Sequence, residues 1–187
     1  MRKVLLAALL ALLPGMVGAQ SSGVNRYPSS GGALTVVAVN RTTVATAGTN
    51  QESLHSLTVP ANSLKAIGDW CEISTVFLAA ANNNSKTAQH YWGTTAGTSI
   101  ATFATTFNNA RFDLRTRCTR VSATVAYCTA WAQGGSYTSP GSVGSYAAPS
   151  SVDFSSSLTF TVAATTALGA GDLSAITTTV SCVAAPI

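Results

Sequence analysis

Between Arg111 and Cys118 the chain alternates without a break: Arg111, Asp113, Arg115 and Arg117 carry charge, while Phe112, Leu114, Thr116 and Cys118 do not. A period of two puts each set on its own face of a β-strand, whereas a helix would scatter the charges around its circumference. The stretch therefore reads as a strand with one buried face. Residues 124–132 continue the pattern, and a turn centred on Ala123 folds the two runs into a hairpin. That centring sets Cys118 opposite Cys128 and Arg115 opposite Trp131.

The same grammar governs most of the chain. Residues 70–78 place Cys71, Ile73, Thr75 and Phe77 on one face and Glu72 and Ser74 on the other. Further strands are predicted at 34–39, 54–59, 87–92, 98–105, 157–162 and 175–183, separated by turns such as Asn82-Asn83-Asn84, Asn108-Asn109 and Gly169-Ala170-Gly171. Residues 134–149, rich in Gly, Ser and Pro, read as a long loop. Short strands with no helix between them imply an all-β fold, an antiparallel two-sheet sandwich over residues 33–187.

The first nineteen residues read as an address, with Arg2 and Lys3 ahead of an apolar run over 4–13. Pro14-Gly15 breaks a signal-peptide helix and Val17-Gly18-Ala19 supplies a cleavage site. The run falls short of the roughly 20 apolar residues of a bilayer span, so Sec export, secreted or periplasmic, with no stable membrane span after cleavage is expected. Residues 20–32 then form a flexible leader. Without Arg2 and Lys3, the ten basic residues fall to eight against six acidic ones, a balance that argues against a nucleic-acid partner.

Cys71, Cys118, Cys128 and Cys182 remain after cleavage. No spacing resembles CxxC, so no zinc site is expected. In an exported chain the even count points to two disulfides with three connectivities open, buried free thiols being the other reading. Hydrolysis would need a nucleophile with a base, paired carboxylates or a metal. His55 and His90 fall on separate strands, no G-x-S-x-G exists, and Asp69 and Glu72 read as a solvated strand start. No enzyme, cofactor or metal is therefore expected. The candidate contact residues are Arg115 and Arg117 with Trp131 stacked on Arg115, and the pair Tyr91 and Trp92, with His90 beside them, as a sugar platform. Against these stand a solvated sheet face or subunit contact for the arginines, and core packing for the aromatic pair.

Leu57-Thr58-Val59-Pro60-Ala61-Asn62-Ser63-Leu64, then Gly68-Asp69 and an alternating strand, resembles the opening of small jelly-roll domains in bacteriophage virion structural proteins. Asn84-Ser85-Lys86 with Tyr91-Trp92-Gly93-Thr94-Thr95, the turn at Arg120-Val121-Ser122, and the closing stretches 153–160 and 172–180 continue the resemblance. It implies a jelly roll similar to the tumour-necrosis-factor and C1q sandwiches, assembled as a homotrimer. It also implies a non-enzymatic virion component of the fibre, spike, tail or decoration kind, whose partners are itself, other virion proteins or a host-surface glycan. The signal segment and cysteines keep an exported bacterial binding or adhesion module as the alternative.

Overall fold

The computed structural model describes residues 34–183 except 135–136 and 143–146, and for 137–142 the backbone alone. The expected signal helix and leader lie outside the described residues. Eleven strands follow in order: β1 (Thr35–Asn40), β2 (Val44–Ala45), β3 (Glu52–Val59), β4 (Trp70–Ala79), β5 (Lys86–Trp92), β6 (Thr98–Thr105), β7 (Arg111–Arg120), β8 (Ala126–Gly134), β9 (Tyr137–Ser142), β10 (Leu158–Thr166) and β11 (Leu173–Val183). One sheet runs β1-β11-β4-β7-β8-β9, with β2 also on β11, and the other runs β3-β10-β5-β6. Every pairing is antiparallel. The chain crosses between sheets from β2 to β3, β3 to β4, β4 to β5, β6 to β7, β9 to β10 and β10 to β11, in a jelly-roll sandwich.

Alternation does the local work. In β4 the residues Cys71, Ile73, Thr75 and Phe77 are buried between the sheets, and in β7 so are Phe112, Leu114, Thr116 and Cys118. The β7–β8 register pairs Cys118 with Cys128 and Arg115 with Trp131, as the centring on Ala123 requires. Burial divides into two apolar clusters. One holds all four cysteines with Leu57, Val59, Leu64, Ile73 and Phe160. The other holds Phe77, Phe103, Phe112, Leu114 and Leu173.

Three boundaries differ from expectation. The expected loop 134–149 contains β9, an edge strand that tolerates Pro140 because its outer N–H groups have no ladder to join. Gly134 (φ 103°) makes the bend into it, where a Cβ would lie 2.8 Å from the Arg111 carbonyl oxygen. Strand β10 runs on to Thr166 through Ala163 and Ala164, fully buried residues too small to show a pattern. The two-residue β2 is held by pairing with β11 and had no periodicity to announce it.

Candidate functional site

The outward side chains of β4, β7 and β8 form one solvent-facing patch on the larger sheet. Register sets Glu72 beside Arg117, and Ser74, Arg115 and Trp131 in a row. The Arg117 guanidinium lies 4.1 Å from the Trp70 ring centroid and 5.8 Å from that of Trp131. Its Nη2 donates to Glu72 Oε2 at 3.0 Å. Arg115 reaches Glu72 at 3.9 Å and Asp113 at 3.6 Å. Its Nε has no hydrogen-bond partner among the described residues. The expected stack of Trp131 on Arg115 is therefore corrected to Arg117. Two carboxylates draw Arg115 away, and side chains leaning along the strands bring Trp131 to its diagonal neighbour.

Arg115, Arg117 and Trp131 thus share a face, joined by Trp70 and Glu72. Tyr91 and Trp92 sit on β5, in the other sheet. Tyr91 is buried and its hydroxyl accepts from Gln51 Nε2 at 2.5 Å. Trp92 meets Phe160 edge-on at 4.9 Å and Phe154 at 6.3 Å, against the cysteine-bearing cluster. The pair is therefore split between the two faces of its sheet. Trp70 was missed as a contact residue, although it shares parity with Glu72 and Ser74; the β4–β7 pairing that brings it to Arg117 leaves no mark on the sequence.

Between the two apolar clusters runs a buried polar seam. His55 on β3 and His90 on β5 both flank Val162 of β10. His55 Nε2 lies 2.8 Å from the Thr42 carbonyl oxygen, which can only accept, so this nitrogen carries the proton. In a neutral ring Nδ1 then accepts from Thr178 Oγ1 at 2.7 Å. Thr178, its one proton committed, accepts from Thr75 at 3.0 Å. Thr75 in turn accepts from His90 Nε2 at 3.0 Å, and His90 Nδ1 accepts from Thr116 at 2.8 Å. One carbonyl thereby fixes the direction of five hydrogen bonds, three of which, His55–Thr178, His90–Thr75 and His90–Thr116, join sheet to sheet. Burial favours the neutral form of both rings: it lowers the His55 pKa, against the pull of the Thr42 bond, and that of His90 to about 3.

Other charged groups are bound into the scaffold. Lys86 is fully buried, and the three protons of its Nζ are shared among four oxygens at 2.8–3.2 Å, the carbonyls of Asn82, Asn84 and Phe107 and Asn82 Oδ1. Burial lowers its pKa while Asp172 opposes the shift. Hydrogen bonding from Asn82 leads the causes that hold Asp172 below the ordinary carboxylate range. Asp69 is buried, accepting from the Ala66 N–H at 2.7 Å, so the expectation of a solvated Asp69 is corrected: its carboxylate closes the turn before β4. Arg120 donates to the carbonyls of Leu64, Lys65, Ser122 and Ala123, and lies 4.6 Å from the Phe154 ring.

The cysteines form Cys71–Cys182 and Cys118–Cys128, with Cα separations of 4.1 and 4.0 Å. All four stand in one register row across β11, β4, β7 and β8. Among the described residues no group of three or more His, Cys, Asp and Glu side chains could hold a metal, and no helix is long and apolar enough to cross a membrane.

No protein-family model matches the sequence, and no curated protein matches it. Among solved structures, the chain is similar to that of the infectious bursal disease virus Gx strain, with a TM-score of 0.35 and 11% identity over 81% of this chain and 32% of that one. It is also similar to the VP2 subviral particle of infectious bursal disease virus, with a TM-score of 0.35 and 13% identity over 82% of this chain and 33% of that one. The chain thus spans about a third of the length of these structures.

Proposed function

We propose that this chain is a non-enzymatic structural protein of a virion, of the fibre, spike, tail or decoration kind, acting through self-association and surface contact. The observation that carries the reading is the Trp70–Arg117–Trp131 layer. It offers aromatic rings and hydrogen-bonding charge on a rigid sheet, the chemistry that recognises a protein surface or the hydroxyl-lined rings of a host glycan. The two imidazoles, the side chains best suited to proton transfer near neutral pH, are closed into the core and bonded to threonines, which supports a role without turnover. The family resemblance of residues 54–183 supports the virion setting and a trimer.

A second reading, an exported bacterial binding or adhesion module that leaves the cell by the Sec route through residues 1–19, is favoured by the two disulfides, which form in oxidising compartments. Expression from the full coding sequence, followed by fractionation into particles, periplasm and medium, separates the two. Recovery with particles is expected for the virion protein; recovery free in periplasm or medium selects the alternative. In either setting Arg117→Ala should abolish glycan-array binding that the wild type displays and leave the melting temperature within a few degrees, since an exposed ion pair contributes about 0–1 kcal/mol. Glycan binding unchanged in Arg117→Ala removes the patch from the site.

A further inference from the structure

From residue 87 to residue 110 the sequence holds no Asp, Glu, Lys, Arg or Pro. The stretch covers nearly all of the β5–β6 hairpin, whereas the next hairpin, β7–β8, carries Arg111, Asp113, Arg115, Arg117 and Arg120. The uncharged hairpin ends a sheet, because β6 is the outermost strand of β3-β10-β5-β6. An outermost strand presents unpaired N–H and C=O groups, and proteins normally guard them with Lys, Pro, a bulge or a covering segment.

The other edges are guarded. Strand β9 contains Pro140. Strand β1 is bulged at Val37, which leaves only Ala38, Val39 and Asn40 paired in step beyond the bulge. Strand β3 begins on the charged Glu52 and is bulged at Leu54, the extra residue between the His55 and Ser53 pairs with β10. Strand β6 has its one irregularity at Ile100, near its start. Beyond it Ala101 to Thr105 pair residue for residue with β5, Thr102 and Ala104 are exposed, and no strand among the described residues lies on the free side.

We propose that β6 is a self-pairing edge, at which two copies of this chain join β6 to β6 antiparallel about a two-fold axis and fuse their smaller sheets into one. A second copy fits because a strand paired antiparallel with itself meets its own hydrogen-bond pattern, and because an uncharged edge brings no like charges together across the axis. A charged partner would find nothing to recognise there. The inference rests on the self-association in the reading above and names its surface. A two-fold contact makes an even-numbered particle, a dimer alone or a hexamer where a trimeric contact is also made.

The test is light scattering with chromatography on protein expressed from the full coding sequence. Wild type is compared with the double variant Thr102→Lys/Ala104→Lys and with Ser56→Lys on the opposite edge of the same sheet. The expected result is an even-numbered wild type, a double variant of half that mass with an unchanged circular-dichroism spectrum, and a Ser56→Lys variant of wild-type mass. Amide exchange on the wild type keeps the test open should the double variant misfold: protection of residues 101–105 should rise with protein concentration. A wild-type oligomer indifferent to both lysines, a strict trimer, or exchange independent of concentration overturns the edge and leaves self-association standing. A monomer at every concentration overturns both.

Discussion

The two ends of the core are closed by different chemistry. At one end four cysteines in a single row lace β11 to β4 and β7 to β8. At the other, Phe112 is packed by Phe77, Phe103 and Phe107, with centroids 5.2, 5.2 and 5.6 Å away, and no sulfur is present. The strands are shared, so the difference lies in what the cross-links reach. Both disulfides join neighbours within the larger sheet and none spans to the smaller one. The phenylalanines, by contrast, bridge the layers, Phe103 on β6 meeting Phe112 on β7. Covalent bonds here fix a sheet, while apolar packing and the histidine–threonine seam hold sheet to sheet.

The comparison breaks most visibly at the sulfur end. Cys71–Cys182 closes a separation of 111 residues and Cys118–Cys128 one of 10. In the chain-entropy account, replacing the first pair with Ala should lower unfolding stability by about 4–5 kcal/mol and replacing the second by about 2–3 kcal/mol. Denaturant unfolding of the two double variants measures the order; equal losses would mean that strain or residual structure, and not loop length, sets the contribution. At the aromatic end Phe112→Ala removes the ring all three others touch and should cost about 3–5 kcal/mol. Because that end spans the sheets, the variant should also expose apolar surface to a hydrophobic dye at temperatures where the disulfide variants do not. Identical dye profiles would remove the distinction between fixing a sheet and joining two.

How much of this was legible in the sequence follows from how far each signal reaches. Period-two alternation gave β4, β7 and β8 their faces, and the turn at Ala123 gave the register that joins Cys118 to Cys128. Both signals are local. The Cys71–Cys182 bond needs β11 beside β4, a pairing across 111 residues that alternation cannot encode. The arginine stripe was visible, but its tryptophan partner depended on diagonal packing and on β4 lying against β7. His55 and His90 looked unrelated because the crossover that places β10 between their strands is a long-range event. Asp69 was misjudged since a turn-closing carboxylate and a solvated one have the same sequence context.

Acid sharpens the contrast least drastically and most specifically, because between the two ends lies the seam. The His90 ring titrates at about 3 in the folded protein against an ordinary value of 6.5. Between those values the unfolded chain binds a proton that the folded one refuses, so stability falls as pH drops through the window, by about 1.4 kcal/mol per unit from this group. His55, also depressed by burial, adds in the same direction. Asp153 and Asp172 titrate low in the fold as well, but unfolded aspartates, with a pKa of about 3.9, are under about a tenth protonated at pH 5, so pH 6 to 5 isolates the imidazoles. Urea unfolding of wild type and His90→Gln across that interval should give a slope smaller in the variant by about one proton's worth. An unchanged slope would mean that His90 takes up its proton in the fold, with Nδ1 donating to Thr116 and the seam intact, so that what joins the sheets is the string of hydrogen bonds and not the neutrality of its rings.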